Sequence, residues 1–406
     1  MVVLHPFAAL RPPPELAERV AAPPYDVVDV ASARELAAGN PDSFLHVSRP
    51  EIDLPDGTDA YSEQVYAAGR RALDGFVTRG LLRPDAEPGL YVYRQELGGR
   101  AQTGVVGCVD VDDYESGAIA THEHTRPDKE NDRVRHLDAL DAHDEPVFLI
   151  APPDAGVRRD VSEATSATPE YDFSTPDGVR HTFWVVASGL VPSLVDAFAA
   201  VPRVYVADGH HRSAAAARLR ELRRAAGRDS VEAGRFPAVV FPADEVRILP
   251  YNRVVRGVPL EGLSGRLREA FEVTSAPGPV EPAERHVFGL YAAGGWLRFS
   301  ARPGLVDEAD VVGRLDVSVL QEHVLGPVLG ITDPRTDQRL GFVGGSAGVD
   351  GLVRLVGSGA YDLAFALPAT SVEELLACAD AGAVMPPKST WFEPKLRSGL
   401  FVHRVG

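Results

Sequence analysis

Residues 203–226 read RVYVADGHHRSAAAARLRELRRAA and join a predicted strand to a predicted helix. Its first five residues favour a β-strand, and the alanine-, leucine- and arginine-rich part after Ser213 favours a helix. Asp208 and Gly209 stand between the two, where glycine lets the backbone turn sharply. Other β-prone runs, at 90–95, 104–111, 146–151, 182–187 and 238–242, alternate with helical patterns, at 31–39, 60–79, 212–226 and 371–381. This alternation predicts a mixed α/β (α+β) fold.

The turn that begins this helix has the composition of an anion receptor. The first N–H groups of a helix have no internal partner and lie at the positive end of its dipole, so they bind phosphate well. Arg212 adds forked donors that suit phosphate oxygens. The predicted phosphate-binding residues here are Asp208, Gly209, His210, His211, Arg212 and Ser213. In the simpler alternative, Asp208 only caps the helix, and the histidines and Arg212 are surface residues.

A second polar cluster, THEHT at residues 121–125, precedes another predicted helix. Thr125 is the predicted N-cap of that helix, with Asp128 at its third position. Lys129 and Arg133 are four residues apart, so they share a helix face and are predicted to supply cations to bound phosphate.

The same cluster permits two other interpretations. If it continues a strand, His122 and His124 lie on one face and Glu123 on the opposite, solvated face, because side chains alternate. His122 and His124 could alternatively join His210, His211 or Asp208 in a metal site, since imidazole suits zinc and iron. The main interpretation assigns no metal ligand.

A third candidate is the loop PPKSTWFEPK at residues 386–395, which three prolines stiffen. Lys388 and Lys395 are predicted to neutralise phosphate, and Ser389 and Thr390 to donate hydroxyl hydrogen bonds. The alternative is a turn whose aromatic residues pack on the core while its lysines face water. The Pro- and Gly-containing stretch around 256–286 predicts a seam between an N-terminal lobe, 1–255, and a C-terminal α/β lobe, 256–406, that contributes this loop.

Composition restricts the class of protein. The chain has 41 Lys and Arg against 58 Asp and Glu, a formal net charge of −17, which disfavours nucleic-acid binding. It contains no apolar run long enough for a membrane span and no export signal at its start. Cys108 and Cys378 are too few for a disulfide framework, so we expect two small core residues in a cytoplasmic protein.

Six blocks together resemble the prokaryotic family known as domain-of-unknown-function family 1015. The resemblance spans almost the whole chain without implying an activity. The blocks are HPFAALRP (5–12), APPYDVV (22–28), NPDSFLHVSRPEIDLP (40–55), THEHTRPDKENDR (121–133), VADGHHRSAAA (206–216) and MPPKSTWFEPKLRSGL (385–400). Tyr25, Asp26, His46 and Arg49 are further candidate site residues from the early blocks.

A local resemblance does imply an activity. Asp208-Gly209-His210-His211-Arg212 resembles the phosphate-binding loop of free serine kinases, which are built on the ParB/sulfiredoxin fold. His122-Glu123 resembles the pair in which these kinases use glutamate as base. The resemblance therefore implies a ParB/sulfiredoxin-like core with additional N- and C-terminal elements. It also implies a catalytic set of Glu123, His122 and His210. Glu123 and Asp208 lie farther apart in sequence than in the small serine kinases, which an insertion would explain.

The favoured function is a phosphotransferase that moves a phosphoryl group from a nucleotide or pyrophosphate to a small hydroxylated acceptor such as free L-serine. Phosphate chemistry implies Mg²⁺ as cofactor, and we expect small-molecule partners with neither nucleic acid nor membrane. Two alternatives remain: a metal-dependent hydrolase that uses His122, His124, His210 and His211, and a non-catalytic module that responds to nucleotide.

Overall fold

The computed structural model describes residues 2–292 and 295–406. The chain forms two compact units, Met1–Val246 with Pro394–Gly406 and Arg247–Glu393. The division thus differs from the predicted seam at 255/256. It falls earlier in the chain, and the last residues belong to the first unit because His403 and Arg404 pair with His143 and Ala142.

The helices and strands have the following bounds. The strands are β1 (Leu10–Arg11), β2 (Arg83–Pro84), β3 (Tyr91–Leu97), β4 (Arg100–Asp110), β5 (Ile119–Ala120), β6 (Ala142–His143), β7 (Val147–Ala151), β8 (Tyr171–Ser174), β9 (Arg180–Val185), β10 (Val204–Asp208), β11 (Arg235–Pro242), β12 (Ile248–Leu249), β13 (Tyr251–Val255), β14 (Phe271–Ala276), β15 (Val287–Ala292), β16 (Gly295–Ala301), β17 (Leu340–Gly344), β18 (Leu363–Ala366), β19 (Trp391–Phe392) and β20 (His403–Arg404). The α-helices are α1 (Ala17–Val20), α2 (Val30–Ala37), α3 (Leu45–Ser48), α4 (Glu63–Thr78), α5 (Val111–Glu115), α6 (Pro127–Leu140), α7 (Ala155–Ala164), α8 (Val191–Ala199), α9 (His210–Ala225), α10 (Leu263–Leu267), α11 (Asp316–Leu320), α12 (Gly348–Gly357) and α13 (Val372–Asp380).

The first unit is built on a mixed sheet. Within its described residues, eight strands lie in the order β5-β10-β7-β11-β4-β3-β9-β8. β10 runs parallel to β5 and antiparallel to β7, and β7 is parallel to β11. The remaining neighbours in this sheet are antiparallel. Strands of both directions in one sheet, with helices between them in sequence, confirm the predicted mixed α/β class.

The helix that follows β10 is held close to the sheet by its alanines. Ala216 and Ala217 belong to the main apolar cluster of the first unit. On another side of α9, Ala215 and Leu219 pack with Val134 and Leu137 of α6. Since alanine combines high helix propensity with a small side chain, α9 fits between the sheet and α6. This packing fixes the position of the Asp208–Gly209 turn.

The second unit contains a separate sheet. Among its described residues, six strands lie in the order β14-β16-β15-β18-β13-β17. Helix α12 contributes Leu352 to an apolar cluster with Val254, Trp296 and Ala364 from this sheet. The unit therefore has a core of its own.

The short-range predictions are largely confirmed. Each predicted β-prone run coincides with a strand, and the predicted helices correspond to α2, α4, α9 and α13. Ser371 and Glu374 form the capping box expected at α13. Cys108 and Cys378 are both buried. Of the helices that the structure describes, none is both long enough and apolar enough to cross a membrane.

Candidate functional site

The turn between β10 and α9 has the predicted strand–glycine–helix geometry. β10 ends at Asp208, Gly209 adopts φ +98°, and α9 begins at His210. A Cβ at Gly209 would lie 3.1 Å from the Arg212 guanidinium carbon, so Arg212 would have to shift to admit a side chain there. Positive φ and this close approach both favour glycine. The turn therefore presents the N-terminal end of a helix of 16 residues.

Asp208 is held by two cations. Lys395 Nζ lies 2.9 Å from its Oδ1, and Arg212 Nη2 lies 2.7 Å from its Oδ2. Burial acts against ionisation, but Lys395 and Arg212 hold the pKa of the Asp208 carboxyl well below its usual range. Asp208 does not cap α9, since the N-cap residue is Gly209 and no side chain bonds there. The Asp208 carboxylate is thus a fixed negative charge beside the turn, and it holds the Lys395 ammonium next to the turn.

Arg212 has internal partners that the sequence did not predict. Its guanidinium is buried and donates to Pro146 O as well as to Asp208. Its Nε lies 4.0 Å from Glu145 Oε2, and its Nη2 lies 3.9 Å from Asp26. Two of its N–H donors are thus engaged by internal acceptors, while Nε has no hydrogen-bond partner among the described residues. Arg212 therefore orients Asp208, and a phosphate contact by Arg212 stays a prediction.

His122, Glu123 and His210 come together at one edge of the sheet. β5 pairs in parallel with β10, through Ile119 with Val204 and Ala120 with Tyr205, so the residues that follow both strands share an edge. One side-chain ligand atom from each of the three residues lies within 4.8 Å of the other two. The rings of His122 and His210 meet edge to face, with centroids 4.5 Å apart. The three residues that were predicted to be catalytic are therefore neighbours.

Both histidine rings of this trio are held in the neutral form. Burial lowers the pKa of His122 to about 4. Burial, together with the adjacent His122, lowers the pKa of His210 well below its ordinary value. Glu123 is half-buried. The trio thus combines two neutral imidazoles with one carboxylate.

The loop that carries Glu123 differs from prediction at its end. Thr125 is not the N-cap of α6; the helix begins at Pro127, its N-cap is Arg126, and no side chain caps it. The Thr125 hydroxyl donates instead to Glu130. His211 Nε2 accepts a hydrogen bond of 3.1 Å from Arg126 N, so the turn holds this loop in place.

Several other predicted residues are engaged inside the first unit. The Ser213 hydroxyl is buried and donates to His210 O at 3.1 Å, within its own helix, so it cannot contact phosphate as predicted. The Arg133 guanidinium is buried over the Tyr25 ring, 4.0 Å from its centroid, and pairs with Asp132, so the predicted phosphate contact of Arg133 stays a prediction. Lys129 Nζ donates to Tyr61 OH at 3.1 Å. His124 is exposed and lies outside the trio. Of the histidines in the metal alternative, the cluster therefore contains His122 and His210, together with Glu123.

The predicted lysine loop is divided between the two units. Lys395 belongs to the first unit, and Lys388, Ser389 and Thr390 belong to the second. Within the second unit, Lys388 is exposed with φ +57° and lies over the Tyr251 ring. The Ser389 hydroxyl is buried and donates to Pro386 O at 2.6 Å, which leaves it unavailable to phosphate. A phosphate contact by Lys388 or Thr390 stays a prediction.

Sequence reasoning missed Glu145. This buried residue accepts hydrogen bonds of 2.9 Å from Tyr25 N and from the Ser398 hydroxyl. Burial raises its pKa to about 7. The sequence does contain a signal for Glu145: it is an acidic residue two positions before the apolar strand β7, where a buried charge needs partners. Glu145 thus supports Arg212, and through it Asp208.

The family model described as "Protein of unknown function (DUF1015)" matches residues 4–318. The chain belongs to this family. No curated protein matches it.

Solved structures resemble the chain only weakly. A free serine kinase in complex with AMP shares 16% identity at TM-score 0.38, covering 71% of this chain and 87% of its own. C-terminally truncated SbnI from Staphylococcus aureus shares 14% at TM-score 0.39, covering 72% and 85%. A conserved hypothetical protein from Pyrococcus furiosus shares 15% at TM-score 0.36, covering 72% and 93%. At such identities and scores the likeness carries no functional argument.

Proposed function

We propose that the protein is a phosphotransferase that moves a phosphoryl group from a nucleotide or pyrophosphate to a small hydroxylated acceptor, with free L-serine as the first candidate. One observation carries the proposal. The Glu123 carboxylate lies within 4.8 Å of His210 ligand atoms, and His210 is the first residue of α9. A carboxylate beside a helix N-terminus combines a base for a hydroxyl with donors for a phosphate.

The proposed division of roles follows from this geometry. Phosphate oxygens accept hydrogen bonds from the first N–H groups of α9, and Lys395, held at Asp208, adds positive charge. Glu123 takes the proton of the acceptor hydroxyl. His122 and His210 flank Glu123 as neutral rings and position it. Phosphoryl transfer needs mainly positioning and charge neutralisation, and these groups supply both.

Magnesium does not fit the described donor set as a resident ion. Mg²⁺ requires oxygen ligands in octahedral geometry. The trio offers two imidazoles and one carboxylate, and both oxygens of Asp208 are already bonded to cations. Any Mg²⁺ would therefore arrive bound to the phosphates of the donor.

The test separates binding from turnover. In Glu123→Gln, the amide keeps the shape of the side chain but cannot accept the proton, so turnover should fall by about 10²–10⁴ while the Kd for nucleotide changes little. Glu87→Gln is the matched control, because Glu87 is exposed and lies before β3. Isothermal titration calorimetry with ADP and ATP reports binding, and mass spectrometry of the acceptor reports turnover. Full turnover in Glu123→Gln would refute the base, and phosphate release without an acceptor would indicate a hydrolase.

A further inference from the structure

We infer that His122, Glu123 and His210 also form a binding site for a divalent transition-metal ion of the zinc class. The three side chains come from two separate segments of the chain, yet their ligand atoms lie within 4.8 Å of one another. Two atoms bonded to one ion at about 2.0–2.2 Å lie at most about 4.4 Å apart, so the three side chains need to close by only a few tenths of an ångström to about 1 Å to contact a single ion.

The histidine nitrogens point to a ligand rather than to packing alone. The His122 ring lies beside the Val206 backbone, with which one of its nitrogens can hydrogen-bond. Its other nitrogen and His210 Nε2 have no hydrogen-bond partner among the described residues, although both rings are almost completely buried. Buried polar atoms are nearly always bonded, so one unpartnered nitrogen on each ring needs an explanation. A metal ion that also binds a Glu123 oxygen would satisfy both nitrogens.

The donor chemistry selects the class of ion. Two neutral imidazoles and one carboxylate are a common ligand set for zinc and for non-haem iron, which leave further coordination positions open. The hard ions Mg²⁺ and Ca²⁺ prefer oxygen. The donor set of these three side chains therefore favours a zinc-class ion over Mg²⁺ or Ca²⁺.

Binding of such an ion has a consequence that rests on the proposed function. A Glu123 oxygen that is bound to a metal cannot take the proton of the acceptor hydroxyl. Zn²⁺ should therefore inhibit phosphoryl transfer, because the ion and the acceptor proton compete for the Glu123 carboxylate. The ion-binding site itself does not depend on this consequence, because it follows from the ligand geometry alone.

The experiment uses the full-length protein after treatment with a chelator, without nucleotide. Titration with Co²⁺ is followed by visible d–d absorption, and displacement by Zn²⁺ is followed by calorimetry. We expect one equivalent of each ion. His122→Ala and His210→Ala should weaken the binding of Co²⁺ at least 100-fold, whereas His124→Ala, which alters an exposed neighbour, should leave it unchanged.

Two results would overturn the inference. One is the absence of stoichiometric Co²⁺ binding to the wild-type protein, and the other is undiminished binding in both histidine variants. If a variant does not fold, the wild-type protein is titrated with Zn²⁺ and followed by ¹⁵N NMR of its histidines. The inference then requires that Zn²⁺ shift the resonances of two buried imidazoles. The Co²⁺ signal is measured without substrate, so a failure of the phosphotransferase proposal would leave it intact. Conversely, if the protein transfers phosphoryl groups but does not bind Zn²⁺, only the inference of a metal site is refuted.

Discussion

The imidazole rings of His122 and His210 meet at 89°, with their centroids 4.5 Å apart. His122 follows β5, and His210 begins α9 after β10, so the contact joins two chain segments through a parallel strand pair. Burial lowers the pKa of both imidazoles, and the neighbouring His122 lowers the pKa of His210 further. Glu123 therefore lies beside two neutral rings, which can position it without neutralising its charge.

The first prediction concerns Gly209. Gly209→Ala should destabilise the protein by about 1–3 kcal/mol, because alanine is strained at φ +98° and its Cβ meets the Arg212 guanidinium. Gly227→Ala is the control, since Gly227 also has positive φ but a Cβ there would meet none of the described atoms within 4 Å. Urea unfolding measures both. Equal losses in the two variants would show that the contact with Arg212 has no effect.

The second prediction concerns Arg212. Arg212→Ala should reduce the free energy of unfolding by about 3–5 kcal/mol, because Asp208 and Glu145 lose a buried partner. Arg218→Ala, on the same helix but in a partly exposed pair with Glu130, should change it by less than about 1 kcal/mol. Urea unfolding compares the two. A stable Arg212→Ala protein with weakened nucleotide binding would instead support the role of Arg212 as a phosphate ligand.

The third prediction concerns Lys395, the cation that Asp208 places at the turn. Lys395→Met should weaken the binding of nucleotide or pyrophosphate by about tenfold or more, because it removes a charge-assisted contact. Lys395→Arg keeps the charge and should recover part of the affinity. Calorimetric titration with ADP and pyrophosphate decides this. Unchanged affinity in Lys395→Met would remove Lys395 from the site.

The fourth prediction concerns stability against pH. His181 Nε2 lies 3.3 Å from the donor Arg397 Nε, and burial, assisted by Arg397, lowers the pKa of His181 to about 3. The unfolded chain takes up this proton below about pH 6.5 and the folded chain does not, so stability falls as pH falls from 6.5 towards 3.

The His181→Gln variant tests that sign. Between pH 6.5 and pH 3, the free energy of unfolding of this variant should depend less steeply on pH than that of the wild type. The difference in slope should be up to about 1.4 kcal/mol per pH unit. Urea unfolding at pH 7, 6 and 5 gives the slopes. An identical slope in the variant and the wild type would contradict the account of His181.

The fold was predictable from local patterns because its strands are short apolar runs bounded by clear turn signals. The run at 203–207 and the alanines after Ser213 indicated β10 and α9 in the correct order. The division into units was not predictable in detail. The final residues join the first unit through the pairing of His403 with His143, and such long-range pairing leaves no local pattern in the sequence.

The site was predictable only in part. The resemblance of the His122-Glu123 pair and of the loop at 208–212 to free serine kinase motifs pointed to His122, Glu123 and His210, which the structure brings together. The internal partners of Arg212 were not predictable, because a sequence cannot show whether an arginine points outwards or meets Asp208 and Glu145 inside the protein. Glu145 itself was missed, because its partners, Tyr25 and Ser398, lie far away along the chain.

The proposed phosphotransferase activity can be measured by phosphorus NMR of the purified protein with L-serine and, in turn, ATP, ADP or pyrophosphate. We expect one donor to lose its terminal phosphoryl signal while a phosphomonoester resonance appears. That change should depend on the acceptor and disappear in Glu123→Gln but not in Glu87→Gln. Donors that stay intact with serine and with pooled amino acids and polyols, or equal conversion by both variants, would contradict the proposed activity.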